Sequence, residues 1–297
     1  MGGRLDTLSV YNFEQNSRSL VQDSSLKTII QTWIAETGQN TLNWLDICCG
    51  DGRILIEIAQ GFPDLQINFH GLELERNIAK RAEINAASLK NVTHNQIKIG
   101  ELSLLQNSFT DLKFDLITNI NSIHELGIPE ISYLILESFK KLEKKNGYLF
   151  LFDLCSLPYD EPEPGAVPWD YPEACSFFNK LSEIFDIPKE NLKPNHHRST
   201  IGAWHLSIKG MVLYRSSKLA TTLENIENSE KHHKTFIKFI KDFIEEKKTE
   251  TDRSIKLTIR RFYPTKPLSE SEMKEIQNLL DNGFRIFWSC HEQLRIN

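Results

Sequence analysis

No stretch of this sequence is apolar for long enough to cross a bilayer. The longest apolar runs, such as Tyr148–Leu154, are a few residues long, where a spanning helix needs about 20. The opening MGGRLDT has no apolar signal-peptide core, and Asp6 stands where a myristoylation pattern requires Ser or Thr. A membrane role is therefore not expected. An excess of basic charge is also missing. Lys and Arg number 35 against 40 Asp and Glu, a formal net charge of -5, so no global field is available to hold a phosphate backbone, and nucleic acid is not an expected partner. Cysteine is sparse. Cys48, Cys49, Cys155, Cys175 and Cys290 make an odd count without the dense spacing of a disulfide scaffold, which points to a reducing, cytoplasmic setting. There is no internal repeat and no low-complexity tract. What remains is ordinary globular composition, 40% hydrophobic and 25% charged, enough for one enlarged domain.

Periodicity then organises the chain. Ser24 to Glu36 places Leu26, Ile29, Ile30, Trp33 and Ile34 at helical spacing. Apolar runs and amphipathic segments alternate after it: Asn43–Cys48 and a helix to Gln60, Gln66–Leu72 and a helix to Lys90, Asn95–Ile99, Phe114–Asn119, a helix over Ile131–Leu142, and Tyr148–Asp153. Such alternation implies a parallel sheet with helices on both faces and ligands at the carboxyl ends of the strands. Beyond Asp153 the crowded prolines of SLPYDEPEPGAVPWDYPEA forbid a helix or a central strand. Helices are expected near Ala174–Phe185, Ile201–Tyr214 and Thr222–Glu246, an alternating run at Ile255–Tyr263, a helix over Leu268–Leu280 and a strand over Phe284–Cys290.

Chemistry concentrates at the strand ends of the first half. Asp46-Ile-Cys48-Cys49-Gly50-Asp51-Gly52-Arg53 reads as a strand end, a turn and a helix start. Gly50 and Gly52 let backbone approach a ligand, and the helix amino terminus offers unpaired N–H groups. About twenty residues on, the next run ends in Gly71-Leu72-Glu73, a carboxylate able to accept from both hydroxyls of a ribose. The third ends in Ile99-Gly100-Glu101, a second acid. One such acid is most simply a solvated loop residue, but three successive strand ends of this kind are harder to assign to chance. A dinucleotide fingerprint would need a third glycine where Leu55 stands.

With these residues the chain resembles the class I S-adenosylmethionine-dependent methyltransferases. LDICCGDGR looks like the family's first motif, GLELE its ribose motif, IGE its adenine motif, and FDLITNINSIHEL its fourth strand and following loop. The resemblance implies a doubly wound α/β fold: a mostly parallel, seven-stranded-type Rossmann-like sheet with a largely helical insertion after the fifth strand. It divides the chain into an N-terminal helical segment (1–40), a cofactor-binding core (41–153), a mainly helical insertion or lid (154–254), and a strand-helix-strand (255–297) that completes the sheet. It implies S-adenosyl-L-methionine as cofactor, held by Asp46, Cys48, Gly50, Gly52, Glu73, Leu74, Gly100, Glu101 and Asn119. Cys48 departs from the pattern, standing where the family usually has its first glycine, and both binding acids are Glu where Asp is commoner.

Methyl transfer needs in-line alignment and, for a protonated nucleophile, a base. His124, after the fourth strand, is the candidate, since imidazole titrates near neutral pH. Its spacing from Asp115 resembles that of the plant-type O-methyltransferases. Its alternative role is to pack or cap the loop. Tyr159, Trp169, Tyr171 and Trp204 are candidates for the acceptor wall through stacking, and otherwise form the insertion's own core. His196-His197 and His232-His233 have no further ligand at metal spacing, so no metal is expected. The expected activity is methylation of an oxygen or nitrogen of a small molecule, with a protein or RNA acceptor and a non-catalytic regulatory module as alternatives. A homodimer through the insertion is the second reading of the amphipathic segment Lys231 to Lys248, after core packing.

Overall fold

The computed structural model describes residues 11–126, 128–155, 169–197, 202–224 and Lys238. Tyr159, both residues of the His232-His233 pair, and the expected elements beyond residue 254 lie outside the described residues.

The chain opens with α1 (Tyr11–Thr37), and Leu26, Ile30 and Trp33 supply its buried stripe. The expected alternation follows: β1 (Thr41–Ile47), α2 (Arg53–Gly61), β2 (Gln66–Glu73), α3 (Arg76–Ala87), β3 (Val92–Ile99), β4 (Leu116–Ile120), α4 (Ile128–Lys141) and β5 (Tyr148–Leu154). These five strands are parallel, in the order β3-β2-β1-β4-β5. The order reverses direction between β1 and β4, which opens a crevice at their carboxyl ends.

Both faces of the sheet are buried, so the strands read as near-continuous apolar runs. One face, with Trp44, Phe69, Phe150 and Phe152, packs with residues of α1, α2 and α3. The other, with Leu45, Ile117, Leu149 and Leu151, packs with residues of α4 and of α5 (Tyr171–Phe185). The start of α5 is written into its sequence. Asp170 accepts from the Glu173 N–H (2.8 Å), and the Glu173 side chain accepts from the Asp170 N–H (2.9 Å), a reciprocal capping box with Pro172 in the first turn.

The region after α5 corrects the helix expected over Ile201–Tyr214. After β6 (Asn195–His197) the chain forms β7 (Ala203–Lys209), antiparallel to β5, then α6 (Gly210–Tyr214) and α7 (Ser217–Glu224). Trp204, Leu206 and Ile208 are buried while His205, Ser207 and Lys209 are only half-buried. That period of two belongs to a strand. The sheet thus has seven strands, β3-β2-β1-β4-β5-β7-β6, within the described residues, and the stretch expected to be a mainly helical insertion supplies its last two. The outer end of α1 is tied to this edge: Glu36 accepts from Tyr148 Oη (3.1 Å) and from Lys209 Nζ (2.6 Å). Among the described residues no helix is long and apolar enough to cross a membrane.

Candidate cofactor and methyl-transfer site

The turn after β1 is held in left-handed backbone at three positions, Cys48 (φ 61), Gly50 (φ 56) and Gly52 (φ 78). Glycine takes this conformation without strain, whereas a residue with a Cβ does so at a cost of about 1–2 kcal/mol. Cys48 therefore occupies a glycine-like position with a side chain. A Cβ on Gly50 would meet nothing within 4 Å, so the turn borders open space. Burial pushes the Cys48 thiol up to about 12, with the nearby carboxylates of Glu73, Glu125 and Asp46 acting in the same direction and the Ser122 hydroxyl opposing it.

Glu73 closes this turn from the next strand. Its Oε2 accepts from the Gly50 N–H and its Oε1 from the Glu75 N–H, each at 3.0 Å. A carboxylate has about four acceptor positions, so two such bonds fix it in place and leave acceptor capacity for a ligand. The Gly100 N–H donates to the Glu73 carbonyl (2.9 Å), which joins the third strand end to the second. Leu74, Ile99 and Leu104 are exposed at these same ends, an apolar surface beside a carboxylate. Glu101 is exposed ahead of the short turn Leu102–Gln106.

Deeper in the crevice, Asp46 is buried and accepts from Thr118 Oγ1 (2.6 Å), which itself accepts from Trp44 Nε1 (2.8 Å). Burial raises the Asp46 carboxyl to about 7 despite the Thr118 bond, and Glu73 adds to the rise. Asn119 is fully buried and donates to the Ile47 carbonyl (2.9 Å), while its own Oδ1, like that of Asn121, has no partner among the described residues. Buried carbonyl oxygens are rarely left this way. Such oxygens can accept from a donor or face a cation.

His124 lies in the one-turn helix Ile123–Glu125 that follows β4. Its backbone N–H donates to Asp153 Oδ2 (2.7 Å) and its Nδ1 meets Asp153 Oδ1 (2.6 Å). Asp153, at the end of β5, also accepts from the Leu154 N–H (2.7 Å). Both residues are buried, 5% and 1% exposed, and Nε2 lies 3.8 Å from Glu125 Oε1. Sequence reading missed Asp153 as this partner. The available signal was a carboxylate ending the strand adjacent to the one that carries the histidine loop. Asp115, whose spacing drew attention in the sequence, is elsewhere: it accepts from the backbone and side-chain N–H groups of Asn43 (2.9 and 3.0 Å) at the amino ends of β1 and β4.

The fold thus brings Asp46, Cys48, Gly50, Gly52, Glu73, Leu74, Gly100, Glu101, Asn119 and His124 to one edge of the sheet. The aromatic acceptor wall is not brought there as an open surface. Trp204 is fully buried and Trp169 nearly so; they stack on each other (6.4 Å between centroids, 16°), and Trp204 Nε1 donates to the Trp169 carbonyl (3.0 Å). Phe177 and Phe178 of α5 cover them. They are core, because the β7 alternation turns Trp204 inward. Tyr171 stacks on His196 (4.6 Å, 9°) and lines a cleft of about 530 Å³ that reaches Tyr148 and Lys209, at the opposite end of β5 from Asp153. His197 and His205 bond to each other, and no group of three or more metal-ligating side chains is assembled among the described residues.

The sequence matches the family model of a methyltransferase domain over residues 39–196. The chain belongs to this family. It is an S-adenosylmethionine-dependent methyltransferase, and the crevice just described is the place where the fold can hold that cofactor. No curated protein matches the sequence. Similar solved structures include magnesium protoporphyrin IX methyltransferase from Synechocystis PCC 6803 with bound SAM, at 14% identity over 66% of this chain and 83% of that one, with a TM-score of 0.45. The plantazolicin methyltransferase BpumL in complex with SAH is 16% identical over 55% of this chain and 58% of that one (TM-score 0.40). Coclaurine N-methyltransferase bound to N-methylheliamine and SAH is 17% identical over 43% of this chain and 36% of that one (TM-score 0.32).

The residues present fit the methyltransferase's cofactor. The open, side-chain-free approach at Gly50 accommodates a ligand backbone, the fixed Glu73 carboxylate suits hydroxyl donors, and the exposed Leu74, Ile99 and Leu104 suit a flat apolar ring. The unpartnered Asn119 oxygen suits an ammonium or a sulfonium.

Proposed function

We propose that this methyltransferase acts on an oxygen or nitrogen of a small molecule. Asp46, Cys48, Gly50, Gly52 and Asn119 hold the methionine part of the cofactor, Glu73 the ribose, and Leu74, Gly100 and Glu101 the adenine. The cofactor supplies an electrophilic methyl carbon on a sulfonium. The chain's own residues align the acceptor, exclude water, and receive a proton at His124 Nε2.

The observation that carries this reading is the burial of the His124–Asp153 pair. A base with so little exposure is reached by a small acceptor that enters the crevice more readily than by the face of a folded macromolecule. The acidic balance of the chain, -5, argues in the same direction against RNA. No metal takes part in this reading, and the chain is expected to work in a reducing, cytoplasmic setting.

The test is incubation with methyl-labelled S-adenosylmethionine and a cell extract separated into small-molecule, protein and RNA fractions. Label is expected in the small-molecule fraction. Label confined to protein or RNA would refute the assignment.

A further inference from the structure

We infer that Asp46 gives up a proton when S-adenosylmethionine binds, so that the site favours this cationic cofactor over its uncharged product, S-adenosylhomocysteine, increasingly as pH rises to neutrality. The inference rests on the proposed placement of the methionine part beside Asp46.

The fold gives Asp46 little with which to carry a charge of its own. It is buried at the end of β1, where a carboxylate loses the hydration that stabilises it in water. An ionised carboxyl has about four acceptor positions, yet among the described residues the Thr118 hydroxyl (2.6 Å) is the only donor that Asp46 receives. That hydroxyl is itself fixed, because its oxygen accepts from Trp44 Nε1 (2.8 Å).

The surrounding charges do not compensate. At the end of β2, Glu73 is a second acid, held by the Gly50 and Glu75 N–H groups. On the turn after β1, burial keeps the Cys48 and Cys49 thiols protonated. Glu125 follows β4 and is acidic too. Of the basic groups at this edge, Arg53 at the head of α2 lies 3.7 Å from Asp51, and His124 is engaged by Asp153. Burial and the Glu73 charge together raise the Asp46 carboxyl to about 7, against the Thr118 bond. Below neutrality Asp46 is therefore a neutral acid in the free protein.

A cation beside it reverses this balance. In a site shielded from water, a nearby positive charge stabilises the ionised carboxyl and lowers its proton affinity. S-adenosylmethionine, with a carboxylate, an ammonium and a sulfonium, carries one net positive charge; S-adenosylhomocysteine has no sulfonium and is neutral overall. On binding the former, the Asp46 O–H bond breaks, its electron pair stays on the carboxylate, and the proton passes to solvent. After methyl transfer the charge on sulfur is gone, and Asp46 takes a proton back from solvent. Linkage fixes the sign. A group protonated in the free protein and ionised in the complex makes binding stronger as pH rises toward its free-protein value, and no stronger above it. For Asp46 that limit is about pH 7.

Calorimetry of the full-length protein at about pH 6, in buffers of different ionisation heat, counts the protons released while the ligands' own amines stay protonated. S-adenosylmethionine is expected to expel more protons than S-adenosylhomocysteine. The ratio of their affinities should move toward S-adenosylmethionine by at least about threefold between pH 5.5 and 7. Equal proton counts and a ratio independent of pH would overturn the inference, and the wild type alone decides this. Asp46→Asn removes the titrating group and keeps an oxygen for Thr118, so its two proton counts should be equal and its ratio flat with pH. If the variant changes affinity but keeps the wild-type proton counts, the placement beside Asp46 stands and the coupling falls. If it binds both ligands as the wild type does at every pH, with the same counts, the methionine part lies elsewhere and the placement falls with the inference.

Discussion

Asp46→Asn should stabilise the protein, and by an amount that depends on pH in a way the structure dictates. Asp46 is 3% exposed, with its carboxyl raised to about 7 chiefly by burial, from an ordinary value of 3.8. Below pH 4 the group is protonated in both folded and unfolded chains and contributes no pH dependence. Between about 4 and 7 the folded chain holds a proton that the unfolded chain has lost, so stability falls as pH rises, by about 1.4 kcal/mol per unit. Above 7 both states are ionised and the loss is complete, at most about 4 kcal/mol over the whole window. Asparagine cannot ionise, and its amide oxygen can still accept the Thr118 hydroxyl. Urea unfolding of wild type and variant across pH 4.5 to 8.5 isolates this group, because every other titration is common to both proteins. The variant's advantage should be smallest at the acid end, where about 1 kcal/mol of the effect is already present at pH 4.5, grow through pH 6, and level off above 7. Curves that run parallel across the range would show that Asp46 is ionised with no penalty, and the account of its burial would be wrong.

Glu73→Ala should weaken S-adenosylmethionine binding by about 1.5–3 kcal/mol, the usual size of a lost charge-assisted hydrogen bond, in calorimetry where NAD shows no binding; unchanged affinity would mean the ribose is held elsewhere. Trp204→Ala should destabilise the fold by about 3–5 kcal/mol, as for any large buried ring, measured by denaturant unfolding; a variant of wild-type stability would place Trp204 at a surface. Cys48→Val should cost about 1–2 kcal/mol, because a β-branched residue fits left-handed backbone worse than Cys does, whereas Cys48→Gly should stay within about 1 kcal/mol of wild type; equal losses in both would mean that packing rather than backbone sets this position.

The parallel half of the sheet was legible because its strands are buried on both faces and its helices on one, so hydrophobic runs such as Gln66–Glu73 and stripes such as Leu26, Ile30 and Trp33 stand out. The shared position of the candidate residues was legible for a related reason: short turns between such elements place Gly50, Glu73 and Glu101 at strand ends by spacing alone. β7 was not. Ala203–Lys209 alternates in burial only from Trp204 onward, and the helix that follows blurred the period into a helical one. The reading of Trp169 and Trp204 as an open wall failed with it, since their faces depend on which element carries them. The His124–Asp153 pair joins residues 29 apart in sequence, one in the turn after β4 and one at the end of β5, a proximity that no local pattern encodes, whereas Asp115 was singled out by a spacing that resembles the plant-type O-methyltransferases.

The left-handed Cys48 has a chemical consequence beyond its backbone. A thiol placed beside a sulfonium is a rival acceptor, and a thiolate is a far better nucleophile than any hydroxyl. With its ionisation pushed up to about 12, Cys48 stays a thiol rather than a thiolate at neutral pH. On the proposed placement of the cofactor, the burial that raises this thiol also spares the enzyme from methylating itself.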